Sequence, residues 1–273
     1  MADLRPMRLE DVAAVTDLVY AASDDARPSD AVAHARYRHP LSHDADGAWV
    51  AEDESGLAAV AIALRREDLW MLTEISVRPD LQSAGLGRRM LERVHAYADG
   101  AKGRLIASSR DPRALRAYAR LGLDAHPCLS AYGVPTGVAA PDGVRVGGAD
   151  DLDFAAGVDR HVRGAAHGPD LAFLLDAGQT LLVSERGYAV VGDSGGVRLL
   201  AAYDEPGARE LLRAALARAG ERAVGVGWLS ARQPWAVQEC VAARLELRAD
   251  AGVLFAGGDV GPFHPYLPSG AYL

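Results

Sequence analysis

Apolar positions along the chain recur with two different periods. Val12, Val15, Leu18 and Val19 follow the three-and-four spacing of a helix that starts near Asp11. Residues 48–52, 57–64 and 69–77 read as strands, and Asp53-Glu54-Ser55-Gly56 is a turn that joins the first two as a hairpin. A short strand at 4–8 precedes the first helix. A second helix is expected over 30–43, broken at Pro40. A helix over 85–98 stops at Asp99-Gly100. A strand at 104–108, a helix at 112–121 and a strand at 128–132 complete this half. Pro112 suits a first helical turn, where its missing N–H costs nothing. Residues 133–142 are rich in Gly and Pro and read as a linker.

The second half runs through the same order. A strand at 144–146 precedes helices at 151–163 and 170–177. Strands follow at 180–184, 188–191 and 197–203, then a helix at 208–219, a strand at 223–229, a helix at 234–245 and a strand at 251–256. A repeat of about 130 residues is too long for a solenoid unit. The expectation is an α/β (α+β) protein of two tandem copies, residues 1–135 and 140–273.

Composition narrows the classes. Of 273 residues, 49% are hydrophobic and 24% charged, which excludes wholesale disorder. The apolar run 57–64 falls well short of the roughly 20 residues of a membrane span. Asp3, Arg5, Arg8 and Glu10 stand where a secretory leader would need an apolar core. Cys128 and Cys240 lie far apart in no metal-ligand spacing, so reduced thiols and a cytoplasmic location are expected. A net charge of −8 argues against a nucleic-acid partner. Yet residues 78–120 hold ten Lys/Arg against four Asp/Glu. That segment is either a site for a local anion or a solvated helix surface. Lys102 is the only lysine, so the abundance of arginine is in part a codon effect of a GC-rich genome.

The most informative stretch is Ile75-Ser76-Val77-Arg78-Pro79-Asp80-Leu81-Gln82-Ser83-Ala84-Gly85-Leu86-Gly87-Arg88-Arg89. It leads directly from a strand into a helix. Gly85 and Gly87 remove two side chains where the backbone enters the helix. Bare N–H groups at a helix start, together with the helix dipole, attract an anion such as a diphosphate. The glycine spacing fits neither the Walker loop nor the dinucleotide fingerprint. A plain glycine-rich turn is the alternative.

Gln82-x-x-Gly85-x-Gly87 after Val77-x-Pro79 resembles the acetyl-CoA-binding signature of the GNAT superfamily of N-acetyltransferases. Asp111-Pro112-Arg113-Ala114-Leu115-Arg116-Ala117-Tyr118-Ala119-Arg120-Leu121-Gly122-Leu123 is similar to that family's Asn-x-x-Ala-x-x-x-Tyr-x-Lys/Arg-x-Gly-Phe. The resemblance implies, in each copy, a mixed, mostly antiparallel sheet flanked by helices and splayed beside its fourth strand. It implies acetyl-CoA as co-substrate and no metal. Ile75, Val77, Gln82, Ser83, Ala84, Gly85, Leu86, Gly87, Arg88, Asp111 and Tyr118 would meet the cofactor. Asp111 stands where asparagine is common, and a carboxylate cannot donate a hydrogen bond.

The implied reaction moves an acetyl group to a primary amine by direct attack within a ternary complex. Tyr118 matches the position of the family's general acid, and a tyrosine can donate at neutral pH. Packing on the helix face beside Leu115 and Leu121 is its structural alternative. Glu74, a carboxylate inside an apolar strand, is the candidate base. His34, His39 and His43 are further candidates. A backbone N–H near Val77 would serve the oxyanion. The expected acceptor is a small-molecule amine or a peptide, and the protein a bacterial monomer or homodimer. A non-catalytic acyl-CoA-binding or sensing protein is the rival reading.

The second half departs from the pattern. Tyr203-Asp204-Glu205-Pro206-Gly207-Ala208 stands where the cradle would recur, and its carboxylates would repel a diphosphate. Pro234 to Cys240 keeps the spacing of Pro112 to Tyr118 but ends in cysteine. This half therefore reads as a decayed copy. Arg160, Arg163, His167 and Asp170 form a polar cluster, expected to cap helices and to make surface salt bridges. The tail over 261–273 holds three prolines among aromatic residues and is expected to lie extended along a groove between the halves. Its terminal carboxylate is one more candidate base.

Overall fold

The computed structural model describes residues 2–23, 27–193 and 195–272. Its contacts divide the chain into two units, Met1–Ala101 and Lys102–Leu273.

The first unit contains β1 (Asp3–Pro6), α1 (Val12–Ala22), α2 (Asp30–His43), β2 (Ala48–Asp53), β3 (Gly56–Arg66), β4 (Leu69–Val77) and α3 (Leu86–His95). The strands form an antiparallel meander in the order β1-β2-β3-β4. The apolar run at 58–64 is the middle of β3 and is fully buried, with α1 and α3 packed on that strand. A continuous apolar run marks a strand covered on both faces. α2 runs unbroken through Pro40, contrary to the expected break. Pro40 is itself buried, and its carbonyl accepts from the Asp44 amide at 2.6 Å. The Asp44 carboxylate accepts from Arg66 at 2.9 Å, from the Arg65 amide at 2.8 Å and from Tyr97 at 3.2 Å. This buried ion pair anchors the end of the helix and offsets the cost of about 3 kcal/mol for an interior proline.

The second unit contains β5 (Gly103–Ser108), α4 (Pro112–Ala119), β6 (Asp124–Gly133), β7 (Arg145–Val146), α5 (Leu152–Arg163), α6 (Pro169–Asp176), β8 (Thr180–Ser184), β9 (Gly187–Val191) and β10 (Val197–Ala202). α7 (Glu205–Ala219), β11 (Val224–Ser230), α8 (Pro234–Ala242), β12 (Glu246–Arg248), β13 (Val253–Gly258) and β14 (Tyr266–Leu267) complete it. Its strands run in the order β5-β13-β6-β11-β10-β9-β8-β7, with β12 on β6 and β14 on β10. β10 and β11 are parallel, and the other registered pairs of this unit are antiparallel.

The strand order shows an exchange between the two halves. β13, which ends the second half, lies between β5 and β6, with Phe255 opposite Ile106 on one side and Ala125 on the other. β6, which ends the first half, takes β13 and β12 on one edge and β11 on the other. This accounts for one departure from expectation. β6 spans 124–133 rather than 128–132, because a partner far away in sequence pairs with 124–127. The expected linker is also tied down. The Thr136 amide donates to Ala243 O at 3.0 Å, and Val138 packs on the core. The helix expected to reach 245 ends at Ala242, and 246–248 become strand β12 on β6.

Each half opens with the same device. Arg5 makes a two-pronged contact to Asp11 at 2.7 and 2.8 Å, and Asp11 accepts from the Arg8 amide. Arg145 makes the same contact to Asp151, which accepts from the Gly148 amide. The arginine-to-aspartate spacing of six is a residue-level sign of the repeat that element order alone does not use.

The polar cluster of the second half is interior, not the expected surface. Asp159, Arg163, His167 and Asp170 are fully buried, and Arg160 is exposed. His167 Nδ1 lies 2.7 Å from Asp159, Tyr188 donates to the other Asp159 oxygen at 2.5 Å, and Tyr266 OH is 3.3 Å from His167 Nε2. Burial, aided by the nearby Arg163 charge, holds the His167 pKa below its ordinary value. Burial alone would raise that of Asp159, but His167, Arg163 and the Tyr188 hydroxyl together outweigh it and the net direction is down. The ionised carboxylate accepts, so Nδ1 carries the imidazole proton and Nε2 is left to accept from Tyr266.

Two outcomes follow from this architecture. A fragment ending at Gly137 keeps β6 but lacks the strands on both of its edges, and it leaves β5 without β13. It should associate on size-exclusion chromatography with light scattering; a soluble monomeric fragment would contradict the exchange. The second concerns pH. Below about 6.5 the unfolded chain protonates His167 while the folded chain resists, so stability falls as pH drops from there. The Asp159 contribution persists until the pH falls through about 3.9. Between pH 6.5 and 5, His167→Gln should flatten the slope of unfolding free energy against pH by up to about 1.4 kcal/mol per unit. Denaturant titrations at several pH values measure it, and an unchanged slope would exclude His167 as the source.

Candidate active site

In the first unit, β4 passes through the short turn at 79–81 and residues 82–85 into α3. Gly85 holds φ +86° and Ser83 φ +66°, which turns the chain sharply into the helix. A side chain at Gly85 would meet no protein atom within 4 Å, so the space in front of it is open. The Gln82 side chain folds back and donates to Val77 O at 3.1 Å, closing the loop onto the strand. Residues 83–85 are exposed. The amides of Leu86, Gly87 and Arg88 open the helix and so have no intrahelical acceptor. Arg88 is exposed and sits 3.7 Å from Glu92, a surface pair of little energy. Arg78 is taken up by Asp53 and Asp80 at 2.7 and 2.8 Å. The nine candidates from Ile75 to Arg88 thus lie on the end of β4, the start of α3 and the turn that joins them.

Glu74 lies three residues before the end of β4. Its side chain is 11% exposed and accepts from Arg36 at 3.3 Å, Tyr37 at 3.4 Å and Ser76 at 3.0 Å. Burial, with the Glu74 charge next in size, pushes the Tyr37 phenol well above its ordinary value. Tyr37 is therefore a fixed donor to the carboxylate. Sequence reasoning passed over Arg36 and Tyr37. The available signal was the buried stripe Ala33, Tyr37 and Pro40 along α2. Of the candidate histidines on that helix, His39 is buried with its ring 4.8 Å from His43, His34 is half-buried and His43 is exposed.

The remaining candidates belong to the second unit. Asp111 caps α4 by accepting from the Arg113 amide at 2.8 Å, and its carboxylate also accepts from the Arg113 guanidinium. That contact holds its carboxyl below the usual range. Asp111 is thus an ionised helix cap. Tyr118 is 4% exposed and meets the edge of Phe255 at 5.5 Å between centroids. Its partner ring comes from the exchanged strand β13.

The second half holds different groups at matching places. Asp204 caps α7 and pairs with Arg186. Cys240, in the place of Tyr118, is buried with its thiol pushed up to about 12. The tail contacts second-half residues: the Phe263 amide donates to Val162 O at 2.7 Å, and Gln233 donates to Phe263 O at 2.6 Å. This corrects the expected place between the halves. The terminal carboxylate named as a base lies outside the described residues. Among the described residues no group of three or more His, Cys, Asp or Glu side chains is arranged to hold a metal ion, and no helix is long and apolar enough to cross a membrane.

Comparison with known proteins agrees with this geometry. Residues 44–122 match the family model of the acetyltransferase (GNAT) domain. No curated protein matches the sequence. Among solved structures, a Pyrococcus horikoshii protein provisionally named an acetyltransferase is similar with a TM-score of 0.82 at 14% identity, over 99% of this chain and 95% of that one. A tandem GNAT protein from the clavulanic acid biosynthesis pathway gives 0.60 at 15% identity, over 95% and 99%. A GCN5-related N-acetyltransferase from Sphaerobacter thermophilus gives 0.56 at 16% identity, over 95% and 96%. At such identities the likeness is one of fold. Residues 44–122 thus match the acetyltransferase (GNAT) domain, and along its length the chain has a fold like that of a tandem GNAT protein.

Proposed function

We propose that the protein transfers an acetyl group from acetyl-CoA to a primary amine, with residues 1–135 as the catalytic copy and 140–273 as a second copy that has lost the chemistry. The observation that carries this reading is the turn from β4 into α3, where the amides of Leu86 to Arg88 open the helix next to the open space at Gly85. The diphosphate of the cofactor would rest on these amides, and its pantetheine arm would run along Ile75 and Val77. Acetyl-CoA, when bound, supplies the thioester carbon.

The residues then divide the work. The amine nitrogen attacks the thioester carbon, the C–S bond breaks, and the amine loses a proton. Glu74 takes that proton through water, with Tyr37 and Ser76 holding its carboxylate in place. Tyr118 gives its phenolic proton to the departing thiolate, so the products are an amide and a free thiol. Asp111, already ionised against Arg113, shapes the start of α4 and does not donate to the cofactor. The acceptor is a small amine or a peptide end, the protein a monomer or homodimer. A cytoplasmic location fits two buried free thiols.

Calorimetry should find one CoA site per chain. Gly85→Val should abolish it, because the new side chain fills the open space and costs about 1–2 kcal/mol at a left-handed backbone. Circular dichroism should stay unchanged. Two equivalent sites would refute the loss of function in the second copy. Against a panel of primary amines, Tyr118→Phe should lower kcat by about 10²-fold with little change in KM for acetyl-CoA. An unchanged kcat would make Tyr118 a packing residue, and CoA binding with no turnover of any amine would favour a sensing role.

A further inference from the structure

The parallel strands β10 and β11 share one registered pair, Val197 with Val226. Further along, β9 holds one edge of β10 at Leu200 and Ala201. The opposite edge, on the β11 side, takes β14 instead, with Leu200 facing Leu267 and Ala201 facing Tyr266. The C-terminal tail therefore enters the gap where the two parallel strands part. It is buried like core: Tyr266 is 0%, Leu267 2%, Phe263 5% and Tyr272 5% exposed.

Further contacts fall on the starts of α7 and α8, the elements equivalent to those that would hold the cofactor in the first copy. The first turn of α7 follows β10 as α3 follows β4. Its Glu205 lies 3.2 Å from His264 Nε2, while His264 Nδ1 is 2.7 Å from Arg232 O. Gln233 stands at the N-cap position of α8, as Asp111 does on α4, and its side chain reads the tail backbone in both directions. Its Nε2 donates to Phe263 O at 2.6 Å and its Oε1 accepts from the Tyr266 amide at 3.1 Å. At the inner end, Tyr266 OH reaches His167. Gly270 lies so close to the Trp228 ring that a Cβ would stand 3.0 Å from it. The tail arrives through a tight crossing, where a Cβ on Gly261 would stand 2.9 Å from the Gly164 nitrogen.

We propose that residues 263–272 are a built-in occupant of the second copy's cofactor groove, a peptide standing where the first copy takes acyl-CoA. The chemistry is matched: a pantetheine arm is an extended chain bearing two amides, and a strand edge holds it as it holds a peptide. Glu205, unsuited to a diphosphate, suits His264. The inference rests on the acyl-CoA reading of the first copy, but its test does not require turnover.

In the full chain, hydrogen exchange should show the amides of Tyr266 and Leu267 protected about 10³-fold or more, like those of β10. Exchange at the rate of an unstructured segment would overturn the proposal. A chain ended at Gly261 should lose about 5 °C or more in Tm. A synthetic peptide of residues 263–273 should bind it one to one and restore the loss, and the same peptide with Tyr266→Ala should not. A folded shortened chain that ignores the peptide would overturn the proposal, as would displacement of the peptide by CoA, which would put it on the Gly85 cradle. If the shortened chain does not fold, the exchange result on the full chain decides. Failure of the intact protein to bind CoA would instead refute the acyl-CoA reading, leaving the peptide and exchange results to judge the tail.

Discussion

The pairing of β13 between β5 and β6 is the constraint on which the second unit depends. Neither half of the chain finishes its own sheet. β6 and β13 each lie beside strands of the other half, so their backbone groups are satisfied only when both halves are present. Unpaired N–H and C=O groups in a buried strand are costly. The exchange therefore removes two sheet edges at once, in the manner that a separate copy would in a strand-swapped dimer. It also carries Phe255 to Tyr118, so the packing of the candidate acid comes from a residue far along the chain.

Ionisable groups in this protein are mostly committed to one another. Asp11 and Asp151 hold arginines of the preceding strands, Asp44 holds Arg66, Glu239 holds Arg209 and Arg213, and Asp111 holds Arg113. Arginine suits such roles because its planar fork meets a carboxylate with two bonds. Within 78–120, Arg78 and Arg113 are taken up by carboxylates, and Arg88 meets Glu92 at 3.7 Å. The feature suited to an anion is the set of backbone amides at the start of α3, whose direction is set by the turn through Ser83 and Gly85.

The two halves share local devices and differ in the groups they hold at matching places. Both keep the arginine-to-aspartate clasp at the first helix and the proline at the start of the last helix. The second replaces the glycine cradle with Asp204 and Glu205, replaces Tyr118 with a buried cysteine, and fills the interior with the Asp159, His167, Tyr188 and Tyr266 network. A fully satisfied polar network of this kind fixes a single arrangement of the core.

By itself the amino-acid sequence determined the order of elements, the repeat, and the cradle from Ile75 to Arg88. Each of these is local: the hydrophobic period, the turn residues and the glycine spacing act within a few positions of one another. Tertiary structure decided what depends on distant partners. Pro40 stays inside α2 because Asp44 is anchored by Arg66, twenty-two residues on. Residues 124–127 become strand because β13 reaches them. The cluster at Asp159 and His167 is interior because the tail returns to cover it. Arg36 and Tyr37 meet Glu74 only when α2 packs on the sheet. No local pattern encodes such contacts, since their free energy comes from burial and pairing that exist only once the chain has closed on itself.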